Sequence, residues 1–181
     1  AYATFTGKGW GGFGYQLGLR GEYSDIAFIS TIAPSGNNLD KGKHYLDLFP
    51  SVFLSYTIKE GFDLQLNYSR RINRPRGRSL NPFTDISDST NIRFGNPDLA
   101  PEYANAFELN AIRVLDNHTL SASAYHRMAS SVIQEIRYLD NGIIYQTPDN
   151  VTSSTSSGLE LIAKDRLTKW LETTSTVNVY H

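Results

Sequence analysis

The 181-residue chain has no cysteine, a single methionine and no long run of apolar residues. The lack of cysteine excludes disulfide frameworks, cysteine-based zinc sites and thiol catalysis, and is compatible with an oxidising compartment. No apolar run approaches the roughly 20 residues that a membrane-spanning helix needs, so any membrane span has to be made of β-strands. No signal peptide is visible, because residues 1–5 already have the pattern of a strand.

The residues that are abundant are aromatic or uncharged polar. The chain contains 11 tyrosines and 9 phenylalanines, and 19% of its residues are charged. Aromatic and β-branched side chains suit the pleated surface of a sheet, whereas helices favour Ala, Leu, Met, Lys and Glu. The formal net charge is -1, so no overall field attracts nucleic acid. The composition therefore favours an all-β protein that does not bind nucleic acid.

Alternating apolar and polar residues locate the strands. Tyr15, Leu17 and Leu19 share one face of a strand, while Gln16 and Arg20 take the other. The same alternation returns in residues 62–70 and more weakly near the end of the chain. The pattern predicts about eight strands, the seventh with an interruption, near residues 1–7, 13–30, 46–58, 62–75, 103–115, 118–138, 142–164 and 169–181.

The connections between these strands alternate in length. The short ones are residues 7–12, 59–61, 116–117 and 165–168. The long ones are polar and rich in Gly, Pro, Asn and Ser, and they are residues 31–45, 76–102 and 139–156. Short turns on one side and long loops on the other, joined by strands of about 10 residues, are typical of outer-membrane barrels. We therefore expect an all-β fold, an antiparallel up-and-down transmembrane β-barrel segment with its apolar face toward lipid.

Two other readings compete with a large membrane barrel. The first is a soluble or surface β-domain that binds glycan or protein through its long loops. Strand length argues against it, because soluble strands average about 5–6 residues and the alternating stretches here are about twice as long. The second is a small complete outer-membrane barrel that acts as an anchor or adhesin, since eight strands are enough to close a barrel.

The most specific motif is Gly95-Asn96-Pro97-Asp98-Leu99-Ala100-Pro101-Glu102. It resembles the G-N-P-x-L-x-P-E motif in the barrel of TonB-dependent outer-membrane receptors. The stretches 68–75 and 80–83 resemble the strand exit and loop that precede this motif in the Bacteroidetes-type branch of the family. Residues 19–23 and 49–51 are similar to other strands of the same family, in the same order.

The resemblance implies the function of a receptor and an outer-membrane location. Receptors of this family take up a scarce solute with energy supplied by the TonB complex through an N-terminal plug, and they close about 22 strands. We therefore expect residues 1–181 to be a partial outer-membrane β-barrel domain, without the plug. The implied partners are outer-membrane lipid and lipopolysaccharide, the TonB complex via the absent plug, and a small-molecule, glycan or peptide solute, with no cofactor. Which solute it carries stays open.

The motif also has a physical interpretation that does not depend on the family. Pro97 and Pro101 fix φ and remove two amide donors, so residues 96–101 cannot join a hydrogen-bonded ladder. Gly95 and Asn96 are turn formers. We expect the motif to end a long outer loop and to set the register of the strand that begins at Glu102, rather than to contact solute.

Charged residues are the remaining candidates for a site. An arginine run at residues 70–78 is more easily explained by an inward or rim position near lipopolysaccharide phosphates than by nucleic-acid binding, because neighbouring strand residues point to opposite faces. The possible lumen or rim polar residues are Arg20, Glu22, Arg70, Arg71, Arg74 and Glu108.

No pattern predicts catalysis or a metal site. His118 and His126 share a strand face but stand roughly 26 Å apart, too far to bind one ion. Glu108, Glu160 and Glu172 need no catalytic explanation, because every second residue of a water-facing barrel wall is polar. Trp10 and Trp170 flank short turns, where an aromatic girdle at the periplasmic side is one explanation and ordinary turn aromatics are the other.

Overall fold

A computed structural model describes residues 1–30, 39–85 and 88–181. Eight antiparallel strands form one continuous sheet, in which each strand lies beside its neighbours in chain order. The prediction of an eight-stranded antiparallel sheet is confirmed. The strands are β1 (Tyr2–Lys8), β2 (Phe13–Ser30), β3 (Leu39–Lys59), β4 (Phe62–Asn73), β6 (Glu102–Leu115), β7 (His118–Ser130), β10 (Ser154–Arg166) and β11 (Glu172–Tyr180).

A second, three-stranded sheet is built from the long connections, and we call it the loop sheet. Its members are β5 (Asn91–Arg93), β8 (Ile133–Asp140) and β9 (Ile143–Asn150), in the order β5-β9-β8. β8 and β9 are antiparallel, while β5 lies parallel to β9. A one-turn helix, α1 (Gly77–Leu80), precedes β5 in the connection from β4 to β6.

The register of the main sheet separates apolar from polar side chains. One row of directly opposed residues crosses all eight strands and is almost entirely apolar: Gly7, Tyr15, Leu54, Leu66, Leu109, Ala124, Leu159 and Val179. The next row lies on the opposite face: Lys8, Gly14, Ser55, Gln65, Asn110, Ser123, Glu160 and Asn178. We call these two surfaces the apolar face and the polar face.

Large side chains on the apolar face are exposed rather than packed in a core. Leu159 and Leu161 are more than half exposed, and so is Val179. The buried apolar residues lie elsewhere, at the end of the sheet where the long connections fold, and they are Phe49, Leu80 and Leu99. An exposed apolar face backed by a polar one is the arrangement of a barrel wall in lipid.

Turn lengths follow the predicted alternation. The short connections lie at one end of the strands, and they are residues 9–12, 60–61, 116–117 and 167–171. The long connections leave from the other end of the strands. Residues 31–38 of the predicted loop 31–45 lie outside the described residues, and residues 39–45 belong to β3, so that part of the loop prediction is wrong.

In the third long connection, one strand prediction is corrected and another is confirmed. The strand predicted over residues 118–138 is two strands, β7 and β8. The β-conformation is interrupted at Ser131, whose φ is 56°, and β8 belongs to the loop sheet. The interruption predicted within residues 142–164 is confirmed, since β9 and β10 are separated by residues 151–153.

The loop predicted over residues 139–156 is mostly ordered strand, so its prediction as an irregular loop is wrong. Asn141 and Gly142 form a two-residue turn with φ values of 47° and 80°, the conformation of a type I′ hairpin. Pro148 opposes Glu135 within this hairpin. Counted from the turn, that pair is not hydrogen-bonded, so the missing proline N–H costs no ladder bond. No helix in the described ranges is long and apolar enough to cross a membrane.

Candidate functional site

The Gly95–Glu102 motif packs at the end of the main sheet where the long connections fold. Leu99 is fully buried, with 0% exposure. The side-chain oxygen of Asn96 accepts a hydrogen bond from the backbone N–H of Asp98 at 2.9 Å, and the N–H of Leu99 donates to the carbonyl of Asn96 at 3.3 Å. Lys43 of β3 donates from Nζ to the carbonyl oxygen of Leu99 at 2.8 Å. The motif is thereby closed on itself and attached to the sheet.

Gly95 lies against the end of α1. Its N–H donates to the carbonyl of Asn81 at 2.8 Å, and the N–H of Asn96 donates to the carbonyl of Ser79 at the same distance. A Cβ atom at residue 95 would stand 2.5 Å from the Asn81 oxygen and 2.7 Å from the Ser79 oxygen. Backbone carbonyls cannot move aside as a flexible side chain can, so the close approach requires glycine.

Asn150, at the end of β9, joins the motif to the loop sheet. Its Oδ1 accepts a hydrogen bond from the N–H of Ala100 at 2.7 Å, and its Nδ2 donates to the Ala100 carbonyl at 3.0 Å. The same Nδ2 donates to the carbonyl of Ser131 at 2.7 Å. One amide side chain therefore connects the start of β6, the end of β7 and the end of β9.

The start of β5 is held by a local turn outside the barrel strands. Asp88 accepts hydrogen bonds from the hydroxyl and the backbone N–H of Thr90, at 2.7 Å and 2.9 Å. These bonds hold the pKa of the Asp88 carboxyl below its usual range. The turn is thus formed with an ionised carboxylate.

A charged cluster on β2, β3 and the exit of β4 gathers several of the predicted residues, and we call it the rim cluster. Arg74 donates to Glu22 at 2.8 Å, and Arg20 lies 3.3 Å from the same carboxylate. The second Arg74 contact is with Asp47, 3.8 Å away. Asp47 is 8% exposed and accepts a hydrogen bond from the Tyr103 hydroxyl at 2.7 Å. A nearly buried carboxylate is thus held by one guanidinium and one phenol.

Aromatic rings extend the rim cluster on two sides. The guanidinium of Arg20 lies 4.7 Å from the ring centre of Phe49, and that of Arg70 lies 5.1 Å from the ring centre of Tyr103. Both distances are within the range of a cation–π interaction. The structure therefore brings Arg20 and Arg70 of the predicted set into contact with the cluster.

Arg71 and Glu108, the other two predicted residues, lie apart from the rim cluster. Both line a groove of about 400 Å³ on the polar face of β4, β6 and β7, together with Asn67, Glu102 and Arg127. Arg70 and Arg71 are thus separated, as expected for neighbours in a strand. We call this groove the wall groove. It is lined by two carboxylates and two guanidinium groups on the polar face of the sheet.

Sequence reasoning missed Asp47 and Tyr103 of the rim cluster, and Lys43, which holds the motif through Leu99. Asp47 shares a strand face with Phe49 and Tyr45, and a lone acid between two aromatics on one face was the available signal. Tyr103 immediately follows the motif, which also marked it. Their partners are separated from them by 56 residues, so the pairing itself is not local.

The other candidates have separate partners. His118 contacts Asp165 at 2.6 Å, and His126 contacts the hydroxyl of Ser157 at 2.7 Å. Glu172 pairs with Arg166 at 2.8 Å across the β10–β11 turn. Trp10 and Trp170 both lie at the short-turn edge and are 99% and 82% exposed, respectively. The structure therefore does not bring these candidates into one site.

An antiparallel sheet with an exposed apolar face, a polar inner face and folded loops at one edge defines a wall segment of a transmembrane β-barrel. The chain belongs to the outer membrane protein beta-barrel family, whose model matches residues 1–181. The protein is therefore located in the bacterial outer membrane. A comparison with curated protein sequences finds no match.

Solved structures similar to this chain are outer-membrane receptors and transporters. The hemophore receptor HasR of Serratia marcescens, in complex with its hemophore and heme, has a TM-score of 0.72 at 14% identity and is matched over 98% of this chain and 33% of its own. The copper transporter OprC has a TM-score of 0.72 at 15% identity, over 99% and 28%. The siderophore receptor PirA of Pseudomonas aeruginosa has a TM-score of 0.67 at 16% identity, over 99% and 38%.

These similarities concern the fold. The chain spans between about a quarter and two fifths of the length of these three structures. The expected resemblance to the barrel of TonB-dependent receptors is confirmed for the fold, with the chain matching a portion of such a barrel. These neighbours are receptors and transporters rather than enzymes.

Proposed function

We propose that this chain forms part of the barrel wall of a TonB-dependent receptor that takes up a scarce solute across the outer membrane. The observation that carries the proposal is the match of the entire chain to the barrel family, combined with a sheet whose long connections fold into an ordered loop sheet at one edge. Ordered outer loops suit capture of a solute, and a polar inner face suits its passage. The energy would come from the TonB complex acting through a plug, so this part of the receptor needs no cofactor and performs no catalysis.

Each of the described groups has a proposed role in this receptor. The Gly95–Glu102 motif is a structural element that fixes the loop sheet to β6, because its polar groups are used in bonds to Lys43 and Asn150. The rim cluster holds the exit of β4 against β2 and β3. The wall groove, with exposed Arg71 and its neighbours, supplies polar contacts along the interior of the barrel.

The two competing functions receive less support. A soluble β-domain would bury one face of its sheet, whereas here Leu and Val side chains of the apolar face are exposed on strands throughout the sheet. A small complete barrel would join its first and last strands, whereas β1 and β11 are the two edges of the described sheet. Neither observation favours an anchor or a surface binding module.

Energy-dependent uptake is the direct test. Cells that carry the protein are compared with cells that lack it for accumulation of heme, a ferric siderophore, copper, an oligosaccharide and a peptide. We expect accumulation of at least one of these solutes that stops when the proton gradient is collapsed or the TonB complex is removed. Accumulation that persists without the gradient would indicate a passive pore and would overturn the proposal.

Detergent dependence tests the membrane part of the proposal separately. We expect β-structure and a heat-modifiable gel mobility with micelles, and aggregation without them, because the apolar face has no partner in water. A compact, cooperatively unfolding monomer in plain buffer would favour the soluble binding module instead.

A further inference from the structure

Two arginines flank a glutamine on one face of the loop sheet. Arg93, Gln146 and Arg137 are directly opposed on β5, β9 and β8. Opposed residues share a face, and neighbouring strands are about 5 Å apart, so the three side chains stand side by side. Gln146 in the middle is 5% exposed, and its Nε2 donates to the carboxylate of Glu135 on the same face. Arg93 and Arg137 thus lie on either side of a buried, hydrogen-bonded amide.

A groove of about 340 Å³ separates this face from α1, and we call it the loop groove. Arg93, Glu135 and Gln146 form its wall on the side of the loop sheet, while Arg78 and Ser79 form the opposite wall. Ile133 and Pro148 add apolar surface. Two backbone hydrogen bonds position these walls. The N–H of Gly95 donates to the carbonyl of Asn81, next to α1, at 2.8 Å, and the N–H of Phe94 donates to the carbonyl of Gln146 at 3.1 Å.

The arginines of the loop groove form no direct ion pair with a carboxylate of the described residues, although Arg93, after the hydrogen bonds from Thr90, also lowers the pKa of the Asp88 carboxyl. In the described part of the chain, no carboxylate lies within 4.0 Å of Arg78 or Arg93, in contrast to Arg20 and Arg74 of the rim cluster. The one acid in the lining is Glu135, and its carboxylate accepts a hydrogen bond from the side-chain amide of Gln146. Two guanidinium groups therefore face one carboxylate, and the groove has an excess of positive charge.

A guanidinium group binds carboxylate, phosphate or sulfate through two parallel hydrogen bonds, and two such groups can hold one oxyanion from both sides. The apolar wall suits an organic body attached to that anion. We propose that the loop groove binds a small solute that carries an oxyanion group, with Arg78 and Arg93 as the binding residues. This inference rests on the proposed uptake function and gives the chemical class of the captured solute.

The test measures binding directly, with the protein purified from outer membranes in micelles. Calorimetric titration uses citrate, glucuronate and inorganic phosphate as probes, with neutral glucose as the comparison. At least one of the three anions is expected to bind saturably, glucose is not, and added salt is expected to weaken the binding. Arg78→Gln and Arg93→Gln should each weaken it at least about tenfold, because each removes a charge-assisted pair of hydrogen bonds.

Arg76→Gln is the matched control. Arg76 is exposed, lies two residues from Arg78 and does not line the loop groove, so the same loss of charge should change the affinity less than about twofold. Arg93→Lys keeps the charge and loses the planar fork, and it should bind with intermediate affinity. Retained heat-modifiable mobility shows that each variant is folded.

Three results would overturn the inference. If none of the three anions binds saturably up to about 10 mM, a concentration corresponding to negligible affinity, the inference is overturned. If Arg76→Gln weakens binding as much as Arg93→Gln, general surface charge explains it and the loop groove does not. Energy-dependent uptake of neutral solutes alone would leave the proposed function intact while removing this inference. Anion binding in the loop groove with no energy-dependent uptake of any solute would keep this inference and overturn the proposed function.

Discussion

The side chain of Asn150 forms two hydrogen bonds with the backbone of Ala100. It accepts one from the N–H at 2.7 Å and donates one to the carbonyl at 3.0 Å. The two residues are 50 positions apart, and they connect the loop sheet to the segment that precedes β6. The geometry requires a group that is both donor and acceptor, so a side-chain amide is suited to it and a carboxylate is not.

Asn150→Asp should therefore loosen the loop sheet while leaving the main sheet intact. The substitution turns two donated bonds, to Ala100 and Ser131, into contacts between oxygen atoms, at a local cost of roughly 2 to 3 kcal/mol. Trypsin cleavage at Arg137 in micelles measures the effect and should become faster. Asn178→Asp, on an exposed position of β11, serves as the control and should leave the cleavage rate unchanged. Equal rates for both variants would contradict the role given to Asn150.

Gly95→Ala should disturb the packing of the motif on α1, because its Cβ would overlap two backbone carbonyls. We expect a loss of roughly 1 to 3 kcal/mol in the free energy of unfolding, measured by urea titration in micelles. Gly77→Ala is the matched substitution, since a Cβ at residue 77 meets no atom within 4 Å. A loss of stability in Gly77→Ala as large as in Gly95→Ala would show that the close approach is unimportant.

Arg74→Met should destabilise the rim cluster more than loss of its half-buried ion pair with Glu22 alone would suggest, since the carboxylate of Asp47 would have one partner fewer in a nearly buried position. We expect a loss of roughly 1 to 3 kcal/mol by urea titration. Adding Asp47→Asn should recover part of that loss, because the uncompensated charge is then removed. Strict additivity of the two substitutions would mean that Arg74 and Asp47 do not interact.

Two adjacent residues of β10 test the assignment of the faces. Leu161→Arg places a charge on the apolar face and should cost roughly 2 to 4 kcal/mol in folding into lipid vesicles. Glu160→Arg places the same side chain on the polar face, where it should be tolerated to within about 1 kcal/mol. Folding efficiency in vesicles measures both, and the opposite ranking would reverse the orientation of the sheet.

The two tryptophans test how deep in the bilayer the end of the sheet with the short turns lies. Trp10 and Trp170 are its most exposed aromatic residues, and in a bilayer an interfacial position is expected for both. Their fluorescence should shift to shorter wavelength on insertion and be quenched more by lipids brominated near the headgroup than by lipids brominated near the chain end. Emission that does not respond to either lipid would place the tryptophans in water, as ordinary turn aromatics.

The main sheet could be predicted from the sequence because its information is local. Leu64 and Leu66 alternate with Gln65 and Asn67, and that period of two sets the face of each residue wherever the strand pairs. The Gly95–Glu102 motif marked the start of β6 within one residue, since its prolines prevent ladder bonds. Short turns then forced antiparallel neighbours in chain order.

The loop sheet and the rim cluster were harder to predict from the sequence, each for a different reason. The β8–β9 turn had a clear signal in Asn141-Gly142 between alternating residues, and the missed element was one that turn chemistry could have found. The rim cluster had no comparable signal, because Glu22 and Arg74 are separated by 52 residues and their pairing depends on how the β4 exit folds back. The predictions that named Arg20, Glu22 and Arg74 rested on polarity, which indicates a face and not a partner.

The order of strands in the two sheets has a consequence for assembly. In the main sheet every described strand lies beside those that precede and follow it along the chain within that sheet, so the wall can grow by adding one hairpin at a time to an existing edge. The parallel pairing of β5 with β9 joins Asn91 to Ile144 and has to wait until β6 and β7 have been added and β8 and β9 have turned back. The loop sheet of the proposed receptor therefore depends on segments from both sides of β6 and β7, and a chain that ends before β9 has no partner for β5.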